Sequence, residues 1–198
     1  FLRRNQGGFS HLEAPSYYSR GDFMCLDSAA RRHLELVANA RDGKRHGSLL
    51  WSIDATVTPA GGRLLRAWLV QPLTALAPLI NRQEAVAQLA ADGFLRAELR
   101  QVLRRVHDIE RLVGRAGTEL AGPRDLVALA EALRAAETAR DILSRHAPEG
   151  LLSELAVAID PHHGLAKSIE QTLVDVPPAG ASDGGLVRPG INSEVDRL

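Results

Sequence analysis

The segment AGPRDLVALAEALRAAETARDIL, residues 121–143, decides the fold of this chain. Gly122 and Pro123 are typical helix-start residues, and Asp125 falls in the first turn, where a negative charge is favoured by the helix dipole. Beyond that start, apolar residues recur every three or four positions and form one stripe: Leu126, Leu129, Leu133 and Ala136. Such a stripe predicts a long amphipathic helix that other helices must cover.

The preceding segment supplies a packing partner for that helix. FLRAELRQVLRRVHDIERLVGR, residues 94–115, alternates apolar spacings of four and three, which is a heptad seam: Leu95, Leu99, Val102, Val106, Ile109 and Val113. The seam predicts one long helix packed nearly parallel or antiparallel to another. Asp108 and Glu110 would then lie on different faces of this helix, and we expect them to bind arginine or water.

Helical patterns also occupy most of the remaining chain. LDSAARRHLELVAN, residues 26–39, predicts a helix that Asp27 caps. GLLSELAVAI and GLAKSIEQTLVDV, residues 150–159 and 164–176, predict a third segment that returns across the first two, and the Pro- and Gly-rich residues 176–190 form an exit. The expected fold class is therefore all-α, a multi-helix bundle with long antiparallel packed helices.

A junction precedes these helices at TVTPAGGRLLRAWLVQPL, residues 56–73. Thr58 is a good N-cap for a helix with Pro59 in its first position. Gly61 and Gly62 each cost roughly 1 kcal/mol relative to alanine in a helix, so we expect another backbone to cross closely there. The predicted structural junction comprises Asp54, Thr56, Thr58, Pro59, Gly61, Gly62, Arg63 and Trp68. An anion site at this helix start is an alternative, but no lysine or phosphate-loop pattern supports it.

Composition restricts the function classes. Lys+Arg and Asp+Glu each number 24, so the net charge of zero gives no indication of a basic surface that wraps nucleic acid. The single cysteine, Cys25, excludes an internal disulfide and indicates a reducing compartment. No apolar run reaches the length of roughly 18 residues that a membrane helix needs. We therefore expect a cytoplasmic protein with no membrane partner.

No active site is visible in the residues alone. The seven histidines lack carboxylate or thiol partners at metal-ligand spacing, and Ser48 and Ser52 have no nucleophile-elbow context. The Gly43-Lys44 pair lacks the remainder of a phosphate loop. We therefore assign no catalytic, cofactor-binding or metal-binding residue and expect no cofactor within this chain.

Five separated blocks resemble the core, or lever, region of the bacterial DNA mismatch-repair MutS family over residues 26–198. The blocks in chain order are LDSAARRHLELVAN, GSLLWSIDATVTPAGGRLLRAWLVQPL, INRQEAV, DIERLVGRAGTELAGPRDLVAL and GGLVRPGINSEVDRL. On this resemblance, residues 1–22 are the end of a connector domain with its linker, residues 23–183 are the helical core, and residues 184–198 start the helix that leads to a clamp. The chain start at Phe1 and a new helix cap near Asn192 fit a piece of a longer protein.

The resemblance implies a function for the longer protein. That protein would be an ATPase that binds ATP or ADP with Mg outside this chain, recognises mismatched double-stranded DNA as a homodimer, and recruits a downstream factor of the MutL type. It would be cytoplasmic and nucleoid-associated when on DNA. The present segment would contain no catalytic site and would couple the ATPase domain to the DNA clamp as a stiff lever.

Two other functions remain open at this point. One is a helical scaffold or partner-binding module without a nucleic-acid role. The other is the MutS-related paralogue that acts on branched DNA or ribosomes, although the D-x-T-x-T-P and W-L-x-x-P-L blocks favour the mismatch-repair branch. Exposed arginines could contact DNA phosphates or pair with acids on their own helices.

Overall fold

The computed structural model describes residues 20–147, 149–178, 184–192 and 196. Within these residues the chain forms nine α-helices: α1 Ser28–His33, α2 Leu49–Ile53, α3 Pro59–Val70, α4 Leu76–Ala91, α5 Gly93–Leu103, α6 Ile109–Gly117, α7 Pro123–His146, α8 Gly150–Ala158 and α9 His163–Thr172. Strand-type pairing in the described part is limited to two isolated bridges, Phe23 with Leu73 and Leu173 with Val187. The predicted all-α fold class is confirmed.

Helix α7 organises the bundle. It contains 24 residues and is about 36 Å long at the standard helical rise. It begins as the sequence indicates, with Pro123 in its first turn and the Gly122 N–H donating to the Asp125 carboxylate at 2.9 Å. Helices α5, α6, α8 and α9 all pack against it, while α4 packs against α5 and α8.

The residues around α7 form two apolar clusters. The α5 cluster joins the C-terminal half of α7 to α4, α5 and α8 through Ala85, Leu95, Leu99, Val102, Ala135, Ala139, Ile142, Leu143, Ala147, Leu152 and Ala156. The α6 cluster joins the N-terminal half of α7 to α6 and α9 through Leu112, Leu129, Ala130, Leu133, Ala166 and Ile169. Because many of these residues are alanines, the helix backbones pack closely. Helix α7 is the element that the two clusters share.

The prediction of one long helix over residues 94–115 is wrong. The chain forms α5 and α6 with a break at residues 104–108, where the Asp108 side chain caps α6 by accepting from the Arg111 N–H at 3.4 Å. The predicted seam is accordingly divided. Leu95, Leu99 and Val102 are buried in the α5 cluster and Val106 packs against it, whereas Ile109 packs against the α6 cluster and Val113 is 49% exposed.

Helix α1 is shorter than residues 26–39 predicted. Its cap is confirmed, since the Asp27 carboxylate accepts from the Ala30 N–H at 2.7 Å. The helix nevertheless ends at His33, because Glu35 adopts a left-handed backbone with φ of 48°. The carbonyls of Glu35 and Leu36 then accept from the backbone N–H groups at the start of α2. This pairing redirects the chain and buries Leu36.

The described part of the exit folds back onto the end of α9. The Val174 N–H donates to the Leu186 carbonyl at 3.0 Å, and the Arg188 N–H donates to the Thr172 carbonyl at 2.9 Å. Parts of three sequence-based assignments lie outside the described residues: residues 1–19 of the connector end, residues 179–183 of the exit, and residues 193–195 and 197–198 of the clamp-helix start.

A two-pronged ion pair fastens α9 to α7 and makes stability depend on pH. Arg134 donates from Nε and Nη2 to the two carboxylate oxygens of Glu170 at 2.9 and 2.7 Å. These hydrogen bonds lower the pKa of Glu170 below its usual 4.5. A carboxylate with a lowered folded-state pKa binds protons more readily in the unfolded chain. Its contribution to stability is therefore complete above about pH 4.5 and is lost as the pH falls through the lowered value.

We expect Glu170→Gln to flatten the acid limb of the stability curve. Thermal unfolding measured from pH 6 to pH 3 should show a smaller loss of melting temperature in the variant than in the wild-type chain, because the variant lacks the titrating carboxylate. Glu154→Gln on α8 is the matched control, since Glu154 is exposed and has no ion pair among the described residues. Parallel wild-type and Glu170→Gln curves would contradict the assignment.

A candidate structural junction around Arg63

The start of α3 is fixed by a local cap. The Thr58 hydroxyl accepts a hydrogen bond from the Gly61 N–H at 3.0 Å, and Pro59 occupies the first helical position. The predicted cap is therefore confirmed. Helix α3 ends at Val70, two residues before Pro72, which cannot continue a helix without loss of a backbone hydrogen bond.

Gly61 and Gly62 make room for threonine side chains. A Cβ atom at Gly61 would lie 2.8 Å from the Thr58 hydroxyl oxygen and 3.6 Å from the Thr56 Cβ, and one at Gly62 would lie 3.4 Å from the Thr56 hydroxyl oxygen. The expected close crossing of another backbone is therefore wrong at these positions. The space that the glycines leave is filled by the segment that precedes α3.

The two glycines should respond differently to alanine. We expect Gly62→Ala to raise the free energy of unfolding by about 0.5–1 kcal/mol, because it removes the entropic cost of a helical glycine. Gly61→Ala pushes the Thr58 hydroxyl off its cap, so it should be less stable than Gly62→Ala by about 1 kcal/mol. Urea unfolding of the two variants measures this difference directly, and equal stabilities would show that the cap is unaffected.

A second set of hydrogen bonds shapes the loop before α3. One carboxylate oxygen of Asp54 accepts from the Thr56 N–H at 2.9 Å and from the Thr56 hydroxyl at 2.6 Å. The other oxygen pairs with Arg45. The two Thr56 hydrogen bonds, assisted by Arg45, lower the pKa of Asp54 and favour its charged form. The predicted junction residues Asp54 and Thr56 are thus joined directly, in a short turn.

Arg63 joins α3 to the start of α6. Its two terminal nitrogens donate to the two carboxylate oxygens of Asp108 at 2.8 and 2.9 Å, and Nη2 also donates to Glu110 at 2.5 Å. A planar guanidinium paired in this bidentate way fixes direction as well as distance. The Arg63 guanidinium lowers the pKa of Asp108 and keeps that carboxylate charged.

The two acids converge on one arginine because of the break between α5 and α6. Asp108 is the N-cap of α6 and Glu110 lies in its first turn, so the geometry of a continuous helix does not apply to them. The expectation that they bind arginine is confirmed, but the expected placement on different faces of one helix is wrong.

Helix α5 contacts the same segment from the other side of the break. Its Arg100 donates from Nη1 to the backbone carbonyl of Ala55 at 2.9 Å. The residues 54–63 are therefore fastened both to α5 and to the start of α6. Since α5 belongs to one apolar cluster and α6 to the other, this junction spans the boundary between the clusters.

Trp68, the last of the predicted junction residues, contacts Arg82 of α4 and not the break between α5 and α6. Its ring is 38% exposed and lies beneath the guanidinium of Arg82, whose Cζ atom is 3.9 Å from the ring centroid. A cation over an indole face is attracted by the negative potential of the ring. Trp68 thus joins α3 to α4.

The charged side chains of the junction form arginine–carboxylate pairs and exposed hydrogen bonds. Among the residues that the structure describes, no group of three or more His, Cys, Asp or Glu side chains is placed to hold a metal ion. None of the helices in the described residues combines the length and the apolarity that crossing a membrane requires. What the arrangement can do is fix the relative positions of α3, α5 and α6.

This fold and this junction define an all-α domain in which ion pairs join the packed helices. The sequence model of the family described as MutS domain III matches residues 29–195. The chain belongs to the MutS domain III family. The match confirms the resemblance of residues 26–198 to the core region of the MutS family.

The similar proteins are named DNA mismatch repair protein MutS. The protein from Synechococcus elongatus is 44% identical over 187 residues, which cover 94% of this chain and 21% of that protein. The proteins from Symbiobacterium thermophilum and Pelotomaculum thermopropionicum are 42% and 40% identical and cover 98% and 100% of this chain. The chain spans about a fifth of the length of these relatives, 21–23% in each case.

Sequence reasoning missed the partners of Arg63, which lie 45 and 47 positions further along the chain. One signal was present. The segment 56–73 contains no acidic residue, so an arginine of α3 had no carboxylate on its own helix and required one from elsewhere if it was to be paired.

Proposed function

We propose that this chain is the part of a DNA mismatch-repair protein that couples an ATPase domain to a DNA clamp. Membership in the MutS domain III family supports the assignment, as do the names of the relatives. The whole protein would bind ATP or ADP with Mg outside this chain and bind mismatched double-stranded DNA as a homodimer. It would then recruit a factor of the MutL type, in the cytoplasm and at the nucleoid.

One structural observation supports the coupling role. The junction at Arg63 bridges the boundary between the α5 cluster and the α6 cluster, and both clusters share α7. A movement applied to α3 is therefore delivered to α5 and α6 together. Coupling between distant sites needs such packed elements that move as units.

The test replaces Arg63 in the full-length protein. Arg63→Gln removes the bidentate pair with Asp108 and the contact with Glu110, so α3 is no longer fastened to the break. We expect ATP-triggered release from mismatched DNA to slow by about 2–30-fold, the usual range for mutations along a coupling route. Affinities for ATP alone and for DNA without nucleotide should stay near the wild-type values.

Arg66→Gln is the matched control. Arg66 is exposed on the same helix, and its side chain has no ion pair within the described residues. It should release DNA at the wild-type rate. If a normally folded Arg63→Gln protein also releases DNA at that rate, the coupling role fails. If the full-length protein binds no DNA, the mismatch-repair assignment fails.

A further inference from the structure

The break between α5 and α6 presents three exposed arginines, Arg104, Arg105 and Arg111. Within the described part of the chain their side chains make no hydrogen bond and no ion pair. They differ in this from Arg63, which pairs with Asp108 and Glu110, and from Arg100, which donates to the Ala55 carbonyl. Arg104 and Arg105 follow one another at the end of α5, and Arg111 lies in the first turn of α6. All three lie within eight residues of the chain, on the two sides of the break.

The nearby acids are already engaged by another cation. Asp108 and Glu110 are the acidic residues between Arg104 and Arg111, and both bind the guanidinium of Arg63. Arg111 lies close enough to Asp108 to help lower its pKa, but the two oxygens of Asp108 point to Arg63. Together with Arg63, four arginines at the break stand against three carboxylates, those of Asp108, Glu110 and Glu131, the last of which pairs with His107. The break therefore keeps a net positive charge although the whole chain is neutral.

Several other arginines of the bundle have carboxylate partners, and Arg96, Arg100 and Arg124 donate to backbone carbonyls instead. Such pairs include Arg115 with Asp125, Arg134 with Glu170, Arg140 with Asp141, and Arg188 with Asp175. Arg32, Arg41 and Arg66 are also exposed without an ion pair among the described residues, and they lie on α1, on the loop that follows α1 and on α3. The three arginines at the break, by contrast, lie within one eight-residue segment.

We propose that Arg104, Arg105 and Arg111 bind the phosphate backbone of double-stranded DNA. This inference rests on the proposed mismatch-repair function. Guanidinium groups match phosphate oxygens in a planar, two-pronged geometry. A duplex presents one charge per roughly 1.7 Å of its axis, so several phosphates lie within the span of neighbouring arginine side chains. Three side chains on this stretch can therefore contact three phosphates at once, independently of base sequence.

The experiment measures how salt changes DNA affinity in the full-length protein. Each phosphate contact that is lost reduces the slope of log K against log salt by about 0.9. The triple variant R104Q/R105Q/R111Q should therefore reduce the slope by about 2–3. The double variant R104Q/R105Q leaves Arg111, which lies near Asp108, in place. It should reduce the slope by about 2. Thermal unfolding establishes that both variants are folded.

The control triple variant R32Q/R41Q/R66Q removes the same charge outside the break, from α1, the loop after it and α3. It should leave the slope within about 0.5 of the wild-type value, which is less than the change of about 0.9 expected for one lost contact. If the wild-type protein binds DNA and both variants at the break keep its slope, the inference is overturned while the proposed function stands. An equal fall in the control would also overturn it, because the effect would then come from total charge. If only association with a MutL-type factor weakens, the arginines serve a protein partner. If the wild-type protein binds no DNA, both proposals fail.

Discussion

Replacing Ile142 by alanine should lower the free energy of unfolding by about 2–5 kcal/mol. Ile142 is 1% exposed and lies in the C-terminal half of α7, among the side chains of the α5 cluster. Its removal loses apolar burial and leaves a cavity that neighbouring helices cannot close without moving, because many of the adjacent residues are alanines. Urea unfolding followed by far-ultraviolet circular dichroism measures the change.

The matched control for this substitution is Ser144→Ala on the same helix. Ser144 is exposed, and its substitution should change stability by less than about 0.5 kcal/mol. If Ile142→Ala costs as little as this control, α7 does not pack against α5 and α8 in solution as the structure has it.

Replacing Ala166 by leucine should lower the free energy of unfolding by about 1–3 kcal/mol. Ala166 is fully buried where α9 lies against α7 in the α6 cluster. Three additional carbon atoms have no room there, so α9 must move away from α7 or side chains must leave their preferred rotamers. Urea unfolding again gives the magnitude, and hydrogen exchange shows where the loss lies.

We expect amides of α6 and α9 to exchange faster in Ala166→Leu, with a smaller effect on α5 and α8, since the two clusters use different residues. Lys167→Leu is the control, because Lys167 is exposed one residue further along α9. A stability equal to wild type in Ala166→Leu would mean that α9 is not tightly packed on α7.

Local signals in the sequence predict several helix starts correctly. Asp27, Thr58 and Gly122 each begin a helix as expected, because capping depends on residues within one turn of the cap. The stripe of residues 121–143 likewise predicts α7, since its apolar face is continuous over many turns. These features need no information from distant parts of the chain.

The break between α5 and α6 is different. Val106 and Ile109 are three positions apart, so the heptad spacing continues across the break and conceals it. Asp108 can lie within a helix or cap a new one, and in this structure it caps α6 while it binds Arg63 from 45 positions earlier. A long-range ion pair of this kind has no periodicity, so spacing alone cannot reveal it. For the same reason the role of Gly61 and Gly62 depended on where the Thr56 and Thr58 side chains point.

The sharing of α7 by two clusters also has a consequence for synthesis on the ribosome. The α6 cluster needs Leu112 from α6 and Ile169 from α9, which lie 57 positions apart in the sequence. They therefore leave the ribosome about 3–11 s apart at ordinary translation rates. During that interval Leu112 has only α7 to cover it, whereas the α5 cluster is complete once Ala156 has emerged. We therefore expect nascent chains to fold around α5 first and to present the apolar face of α6 to chaperones until α9 arrives.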